Sequence, residues 1–445
     1  MQQENKPTSE RQRILQKIAV FYLVAAFFFV WGFTTAYYRI FPWRYLYQPA
    51  KEIHDFITFK DRPPKTLKDH IKYDYQERRT DFSFSGFRSR DPDFIDNGYL
   101  LISRYSKKYA QTIVQLLSVS NQKVIHTWVP PLSEVFKLTP RHKGDANTRM
   151  AYRAQHPLML PDGDLLFTSG EGPMVRLDPC GKIVWTIDRH FHHSLELDCD
   201  GNILAPIVVE PPIVHTVFPI RDDGFAVVSL EGKILSEYSI TDILVKNGHR
   251  SLVYGVGEFE LDRIHLNDAQ PIMNNSFPAE LGDVALSMRH LSTVALFRPD
   301  SNRLIWLKTG PWLGQHDINP LGNGRYSIFG NDIVRGKNES RFLVENTSEI
   351  YLYDYRNNTV DLPYSRVMTE EKVFSQTGGR SMILPNGDVI IEESDKNRIL
   401  RISQNKTRWE YVNSLSPNTS GAIHWARYIS SEEIDLRWKE KLQCR

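Results

Sequence analysis

Four segments of this chain place histidines, and one arginine, beside short apolar runs. His193 is the second histidine of FHHSLEL, His265 lies in DRIHLNDAQ, Arg289 and His290 lie in LSMRHLSTV, and His316 lies in WLGQHDINPLGNGRY. A neutral imidazole can attack as a nucleophile or exchange a proton with a leaving oxygen. A guanidinium binds the oxygens of a tetrahedral anion through its planar fork. If these side chains converge, they form a site that can transfer a sulfuryl or phosphoryl group.

Each of these residues also has an ordinary structural explanation. A single histidine beside a strand is more often a packed or surface residue, and His316 alone fits a position before a hairpin turn. Arg289 interrupts the apolar stretch DVALSMRHLSTVALF, so it must either pair with a buried acid or face a water-filled cavity. The chemistry therefore depends on the fold bringing the segments together.

Other chemical motifs are missing from the sequence. There is no GxxxxGK[ST] loop for a nucleotide phosphate and no G-x-S-x-G elbow for serine hydrolysis. LDCDGN begins like a calcium loop but lacks its bidentate glutamate, so we predict a turn there and no metal or cofactor. Glu392, Glu393 and Asp395 are predicted to lie at a solvated strand end. The net charge of +2, without a basic block, argues against a nucleic-acid partner.

The elements that must position these residues are strands. From residue 97 onward, short apolar runs alternate with turns of Gly, Asn and Asp, which is typical of hairpins. The runs group into six modules: 97–128, 160–188, 198–240, 283–310, 321–362 and 384–412. Each module can supply a four-stranded sheet, and six sheets arranged radially form a propeller whose loops carry function at one mouth. The sequence therefore predicts an all-β fold, a six-bladed β-propeller over residues 96–445.

The N-terminus predicts one transmembrane helix before the propeller. Residues 18–38 contain no charged side chain, and a helix of that length crosses a bilayer. A cleaved signal peptide usually has a shorter apolar region, and a buried core helix is the other alternative. Basic residues within 1–17 favour a cytoplasmic tail. We therefore expect a single-pass signal anchor at 18–38, a stalk or wrapping segment at 39–95, and a catalytic domain on the periplasmic or extracytoplasmic side.

The three cysteines leave one pairing open. Cys180 and Cys199 lie in consecutive turn-like stretches and can pair in an oxidising compartment if the turns approach each other. A zinc site would need further ligands at close spacing, which the sequence does not offer.

Several segments in order resemble the bacterial arylsulfate sulfotransferase family. They are FHHSLEL, DRIHLNDAQ, ALSMRHLSTVALF with RLIWLKTG, GQHDINPLGNGRYSIFGND and SQTGGRSMILPNGDVII, within residues 150–435. The resemblance implies a six-bladed propeller and a nucleotide-independent transfer of a sulfuryl group. It also implies that an aryl sulfate ester is the donor and a phenol the acceptor, outside the cytoplasm.

The resemblance also assigns roles by motif. It implies that His316 becomes transiently sulfurylated, that His265 and Arg289 bind the sulfuryl oxygens, and that His193 transfers a proton. The chain departs from the family pattern twice: HHS stands where the family has HHD, and FGND stands where it has F-D-N-G. The first change removes a carboxylate that could orient His193, and the second displaces a polar residue near the site.

Two other functions remain open at this level. A non-catalytic propeller that binds an anionic ligand or a partner protein would use the same cluster without turnover. A quinoprotein-like oxidoreductase is disfavoured, because the sequence shows neither a repeated tryptophan docking motif nor a set of ligands for a cofactor metal.

Overall fold

A computed structural model describes residues 10–38, 77–79, 82–142, 152–214, 220–255, 260–335, 341–344, 347–442 and 444. The chain divides into two compact units, Met1–Asp69 and His70–Arg445.

The first unit contains one long helix, α1 (Glu10–Tyr38). Its 23-residue segment Gln12–Thr34 contains an 18-residue stretch with a mean hydropathy of 2.0, and by length and composition the segment is enough to cross a membrane. The predicted span at 18–38 lies inside this helix, which begins eight residues earlier than predicted. Most of the predicted segment 39–95 lies outside the described residues, at 39–76 and 80–81.

The second unit is built from strands. In its first half they are β1 Glu77–Arg79, β2 Gly86–Ser89, β3 Tyr99–Ser106, β4 Gln111–Ser118, β5 Val124–Trp128, β6 Gln155–Met159, β7 Leu165–Thr168, β8 Gly172–Leu177, β9 Ile183–Phe191, β10 Glu196–Leu197, β11 Ile203–Val208, β12 Asp223–Val228 and β13 Ile234–Ser239. In its second half they are β14 Leu266–Pro271, β15 Val284–Met288, β16 Thr293–Arg298, β17 Arg303–Thr309, β18 Asp317–Gly322, β19 Arg325–Gly330, β20 Ile333–Arg335, β21 Arg341–Leu343, β22 Glu349–Asp354, β23 Thr359–Asp361, β24 Arg380–Ile383, β25 Val389–Glu393, β26 Arg398–Ile402, β27 Thr407–Val412, β28 Ser414–Ser416, β29 Thr419–Gly421 and β30 Ile423–Ile429.

Helices are few and short in the described part of this unit. The α-helices are α2 Leu132–Leu138, α3 Ile240–Lys246, α4 Arg250–Tyr254 and α5 Ser365–Glu370. The 3₁₀ turns are Pro140–His142, Arg289–Leu291, Pro299–Ser301 and Arg437–Lys441. The all-β prediction is confirmed, and the sheets have a propeller-like arrangement.

The sheets are antiparallel, and most neighbouring strands in a sheet also follow one another along the chain. Two four-stranded sheets have the orders β14-β15-β16-β17 and β18-β19-β22-β23, and a five-stranded sheet has the order β2-β27-β26-β25-β24. An eight-stranded sheet has the order β13-β12-β11-β9-β8-β7-β6, with β10 beside β11. Its two halves, β6–β9 and β10–β13, are joined by the pair Ile207 and Phe191 between β11 and β9.

The end of the chain closes the fold onto its beginning. A sheet of order β30-β3-β4-β5 pairs the last strand with β3. Strand β2 pairs with β27 as the fifth strand of its sheet. Residues 86–89 of the predicted stalk or wrapping segment are therefore part of a sheet.

The core lies between neighbouring sheets. Apolar side chains of alternating strand positions fill these spaces, as in the cluster of Phe225, Phe297 and Leu286 between β12 and the β14–β17 sheet. Tight turns separate the strands, and Gly163 with φ +86° supplies the left-handed conformation of the PDGD turn between β6 and β7.

Buried carboxylates connect the first strands of adjacent sheets, where no ladder joins them. Asp268 on β14 accepts a hydrogen bond from the backbone N–H of Ile318 on β18, at 3.0 Å. Asp317 on β18 accepts one from the N–H of Ser381 on β24, at 2.9 Å. These contacts hold β14, β18 and β24 side by side, so residues just before each strand lie close together.

The disulfide pairing differs from the one considered from sequence. Cys180 bonds to Cys444, 264 residues away, and Cys199 is an exposed free thiol. The C-terminal segment packs Trp438 against Trp128, with ring centroids 6.0 Å apart, and this contact brings Cys444 to the turn that carries Cys180. Cys199 was considered as the partner because it is near Cys180 in sequence. The sequence does not show that the C-terminal segment packs beside Cys180.

Candidate functional site

The four residues singled out from sequence line one cavity. It has a volume of about 260 Å³, and His193, His265, Arg289 and His316 all contribute to its wall. His265 immediately precedes β14, His316 immediately precedes β18, and His193 lies three residues before β10. Arg289 lies in the 3₁₀ turn between β15 and β16. The fold therefore brings together side chains that are up to 123 residues apart in sequence.

Left-handed backbone conformations occur within three residues of the starts of four strands, β6, β10, β14 and β30. His156 has φ +52°, His193 +58°, His265 +51° and Trp425 +68°. This region costs a non-glycine residue of the order of 1 kcal/mol or more, and such strain persists where the surroundings fix it. All four side chains line the cavity, so the unusual conformation turns them towards the same space.

The imidazoles are close to one another. The ring centroid of His193 lies 5.3 Å from that of His265, 6.0 Å from that of His316 and 6.0 Å from that of His156. Burial, together with neighbouring imidazoles, holds the pKa of His193 well below its usual value. A cluster this dense disfavours positive charge on all of its members at once, and a substrate anion relieves that constraint.

His316 has one defined tautomer. Its Nδ1 lies 2.6 Å from Oδ1 of Asn331, whose Nδ2 donates to the carbonyls of Ser375 (2.7 Å) and Gly378 (2.8 Å). Because the amide nitrogen is already used, Oδ1 must accept from Nδ1–H of His316. Nε2 therefore carries the lone pair, and it accepts a hydrogen bond from the N–H of Gly378 at 2.9 Å.

The charge state of His316 follows from its surroundings. Burial and the nearby Arg289 guanidinium hold the pKa of His316 well below its usual value, although the Asn331 contact opposes this shift. Arg289 is 4% exposed and donates from Nε to the Gly314 carbonyl and from Nη2 to the Gln376 carbonyl. The site thus holds a neutral imidazole beside a fixed cation.

His265 has a carboxylate partner. Its Nδ1 lies 2.6 Å from Oδ2 of Asp262. The ring of His290 stacks on that of His265, with centroids 4.2 Å apart and planes 24° apart. His290 Nδ1 in turn donates to the backbone carbonyl of Asp262 at 2.6 Å.

Asp262, His265 and His290 are close enough to be considered as metal ligands. Their donor atoms lie within 4.8 Å of one another. Ligands of one tetrahedral ion lie about 3.3 Å apart, whereas the His265 and Asp262 atoms are 2.6 Å apart. The Arg221 guanidinium also lies 4.0 Å from the carboxylate. These distances describe a hydrogen-bonded pair rather than a metal site.

A relay of side chains stands behind His193. Its Nδ1 lies 2.9 Å from Nδ1 of His192, and Nε2 of His192 lies 3.5 Å from Oδ1 of Asp223. Burial raises the pKa of Asp223, but the combined effect of His192 and Arg221 is larger and lowers the pKa below its usual value. This carboxylate is therefore ionised. A carboxylate therefore reaches His193 through His192, although Ser194 replaces the family's adjacent aspartate.

The structure bears on two expectations about polar residues. In the FGND segment Asn331 contacts His316 directly, and Asp332, the aspartate that stands two positions later than in the family pattern, accepts a hydrogen bond from the N–H of Leu313. Glu392 and Glu393 are not solvated: they are 2% and 0% exposed, and Glu392 lines the cavity and accepts from the N–H of Trp425.

Sequence reasoning missed three of the residues that line or support the cavity: His156, Asn331 and Trp425. A signal for two of them was present, because QHPLMLPDGD and IHWARY place a histidine at a strand start as HHSLELDCDGN does. For Asn331 the signal was the FGND segment itself, but its contact with His316 forms between the ends of two neighbouring strands and could not be read from the sequence.

Comparisons with known proteins give one family. A family model described as arylsulfotransferase (ASST) matches residues 156–414, more than half of the chain. A comparison with curated proteins gives no match.

Solved structures with a related chain path are distant. A protein of unknown function from Bacteroides caccae is 14% identical, covers 75% of this chain and 99% of its own, with a TM-score of 0.47. The β-propeller domain of Cps50 (Swd1) from Myceliophteria thermophila is 7% identical, with coverages of 78% and 90% and a TM-score of 0.40. The WD40 propeller domain of Doa1 is 12% identical, with coverages of 80% and 97% and a TM-score of 0.40.

Proposed function

This chain belongs to the arylsulfotransferase family, and we propose that it transfers a sulfuryl group from an aryl sulfate ester to a phenol through a sulfohistidine at His316. The observation that carries the proposal is the neutral, Nδ1-protonated His316 beside Arg289 in one cavity. A nucleophilic imidazole needs a free lone pair at the reacting atom, and a sulfate ester needs fixed positive charge around its oxygens.

In the first half-reaction, Nε2 of His316 attacks the sulfur of the bound ester. The lone pair forms an N–S bond, the S–O bond to the aryl group breaks, and its electrons leave with the phenolate oxygen. The Nε2 lone pair that accepts the hydrogen bond from Gly378 N–H is used to form the N–S bond. The Gly378 N–H can then donate to a sulfuryl oxygen. Arg289 and His265 bind the remaining sulfuryl oxygens, where charge collects in a loose transition state.

In the second half-reaction, the acceptor phenol attacks the sulfohistidine. His192 points Nε2–H towards Asp223, which leaves its Nδ1 to accept from His193 Nδ1–H and leaves a lone pair on His193 Nε2. This nitrogen takes the phenol proton as the new S–O bond forms and the N–S bond breaks. His193 then releases this proton to solvent, and the phenolate freed in the first half-reaction takes up a proton in exchange, so the cycle balances.

The finer architecture belongs to the same proposal. If β6–β9 and β10–β13 are counted as separate blades, the sheets form six blades around the cavity axis. We place the propeller outside the cytoplasm and assign α1 as its anchor in the cytoplasmic membrane. The Cys180–Cys444 disulfide supports an oxidising compartment.

The test separates an enzyme from a binding protein. Purified protein incubated with p-nitrophenyl sulfate and excess phenol should release nitrophenol and form phenyl sulfate. Incubation with the donor alone should add the mass of one SO₃ group to the intact protein. His316→Ala should abolish both signals, while His249→Ala, outside the cavity, should keep them.

Two results would contradict the proposal. Full activity of His316→Ala would show that the nucleophile is another residue. Absence of nitrophenol release across a broad pH range and many acceptors would favour a non-catalytic propeller that binds an anion or a partner protein.

A further inference from the structure

We infer that the Asp262 carboxylate is a positioning residue that keeps His265 protonated on both ring nitrogens, so that His265 donates Nε2–H to the sulfuryl group. This inference rests on the proposed function, because it assigns the charge of one group that binds the transferred sulfuryl. It concerns how the site divides identical imidazoles into a nucleophile and a cation.

Two histidines of the cavity have matched contacts with different partners. His265 Nδ1 lies 2.6 Å from a carboxylate oxygen of Asp262, and His316 Nδ1 lies 2.6 Å from the amide oxygen of Asn331. Both partners accept the Nδ1 hydrogen, so both rings are oriented in the same way. Only the carboxylate adds a negative charge, and a negative charge at this distance favours a second proton on the ring.

The consequence appears at the opposite nitrogen. On His316, the lone pair of Nε2 is available to attack sulfur. On a doubly protonated His265, Nε2–H is a charge-assisted donor to a sulfuryl oxygen, whereas a neutral His265 with the same Nδ1 contact would present a lone pair to that oxygen. Environments that differ in this way assign distinct roles to chemically identical groups.

The remaining groups around His265 are consistent with one positive charge there. His290 stacks on its ring and donates to the Asp262 carbonyl, which fixes both members of the pair. Its other charged or titratable neighbours are Asp223, Arg221, Arg289, His193 and His316, and the two guanidiniums oppose a positive charge on His265. Asp223 interacts favourably with a charged His265, and Arg221 is held by Asp223 at 2.6 Å and by Glu171 at 2.6 Å.

Asp262 itself is in the ionised form that this assignment needs. Burial raises the pKa of its carboxyl, but the hydrogen bond and the charge interaction with His265 together lower the pKa by more, so the net change is a decrease. Its backbone is held by His290, and its Oδ1 lies 4.0 Å from the Arg221 guanidinium.

NMR can detect directly which ring nitrogens of His265 are protonated. Protein labelled with ¹⁵N at the histidine rings is compared with Asp262→Asn by NMR at neutral pH, and His265→Gln identifies the His265 signals. We expect two protonated ring nitrogens on His265 in the wild type and one bare nitrogen in Asp262→Asn. Asparagine keeps the Nδ1 contact, so the ring stays in place while the charge is lost.

Binding of inorganic sulfate supplies the functional readout. Loss of one charge-assisted hydrogen bond should weaken sulfate binding by about 10- to 100-fold in Asp262→Asn. Asp262→Glu should recover part of the affinity because it restores the charge. Asp188→Asn is the matched control: Asp188 lies 3.4 Å from Nε2 of His142, outside the cavity, and its loss should leave sulfate affinity unchanged.

A bare ring nitrogen on His265 in the wild type, or equal sulfate affinity in wild type and Asp262→Asn, would overturn the inference. Neither measurement requires turnover. If the protein binds sulfate as expected but transfers no sulfuryl group, the proposed function fails while the charge assignment of His265 stands.

Discussion

At the level of single residues, the proposed mechanism assigns the role of His316 and of His265 from the hydrogen-bond partner of each ring. His316 is paired with an amide and His265 with a carboxylate, and both contacts are 2.6 Å long. The glycine at 378 has φ +72°, a conformation that directs its N–H to Nε2 of His316. A side chain there would meet Ser394 Oγ at 2.9 Å, so this donor depends on glycine.

Replacing Asn331 tests the tautomer of His316, the proposed nucleophile. In Asn331→Ala, Nδ1 of His316 loses its acceptor, so the ring is no longer held with its lone pair on Nε2. We expect kcat to fall by about 10- to 100-fold, the usual effect of removing a residue that orients a reacting histidine. The rate of sulfohistidine formation, measured by rapid-quench mass spectrometry, reports the step directly.

Asn319→Ala is a matched control for this change. Its amide donates to Asp317 and to the Ser381 carbonyl, outside the cavity. Equal rates of sulfohistidine formation in wild type and Asn331→Ala would show that the amide does not set the tautomer.

The order of the motifs together with the family resemblance predicted four side chains that line the cavity. His193, His265, Arg289 and His316 were predicted from their positions beside strands and from the family resemblance, and all line one cavity. Their partners were not predictable. Asn331 and Asp262 act through distances between side chains, and a strand pattern contains no information on those distances.

At the level of elements, β14 and β18 position two histidines of the site, His265 and His316, which precede these strands, and the buried side chains of Asp268 and Asp317 link the strands to their neighbours. Alternating apolar runs and glycine turns predicted the strands themselves. They did not predict that β6–β9 and β10–β13 share one sheet, or that β2 is an outer strand of a sheet. Such pairings depend on where distant segments meet.

Asp268 provides a test of how these strands are held. Burial and the neighbouring Asp317 raise the pKa of Asp268 well above its usual value. Because the pKa is raised, the folded protein keeps this proton up to a higher pH than the unfolded chain does. Stability from this group therefore decreases as the pH rises above about 3.8, where the unfolded carboxyl ionises.

We expect Asp268→Asn to remove this decrease. Asparagine resembles the protonated acid, so the free energy of unfolding should match that of the wild type at acidic pH. It should exceed the wild-type value by about 1 kcal/mol or more at pH 8, since one pKa unit corresponds to about 1.4 kcal/mol. Urea unfolding at several pH values measures the difference.

The exposed Asp300 provides the comparison for that series. Asp300→Asn should show no pH-dependent difference from the wild type. A stability difference between Asp268→Asn and wild type that does not change with pH would mean that Asp268 is ionised in the folded protein.

At the level of the whole molecule, the chain is closed by the β30–β3 pairing and by Cys180–Cys444. A disulfide that joins residues 264 apart restricts the unfolded chain strongly. Cys444→Ser should lower the free energy of unfolding by about 2–5 kcal/mol. Denaturant unfolding with and without reductant measures this loss.

Cys199→Ser is the matched control, because Cys199 is an exposed free thiol. It should leave stability unchanged and should not alter the response to reductant. If reductant destabilises Cys444→Ser as much as the wild type, the stabilising bond involves other cysteines.

The position of β30 has a consequence for biosynthesis. Trp425, one wall of the cavity, lies 20 residues before the end of the 445-residue chain, on the strand that closes against β3. A nascent chain that has exposed its histidines still lacks this wall and the strand that completes the last sheet. The cavity wall is therefore complete only after β30 has paired with β3.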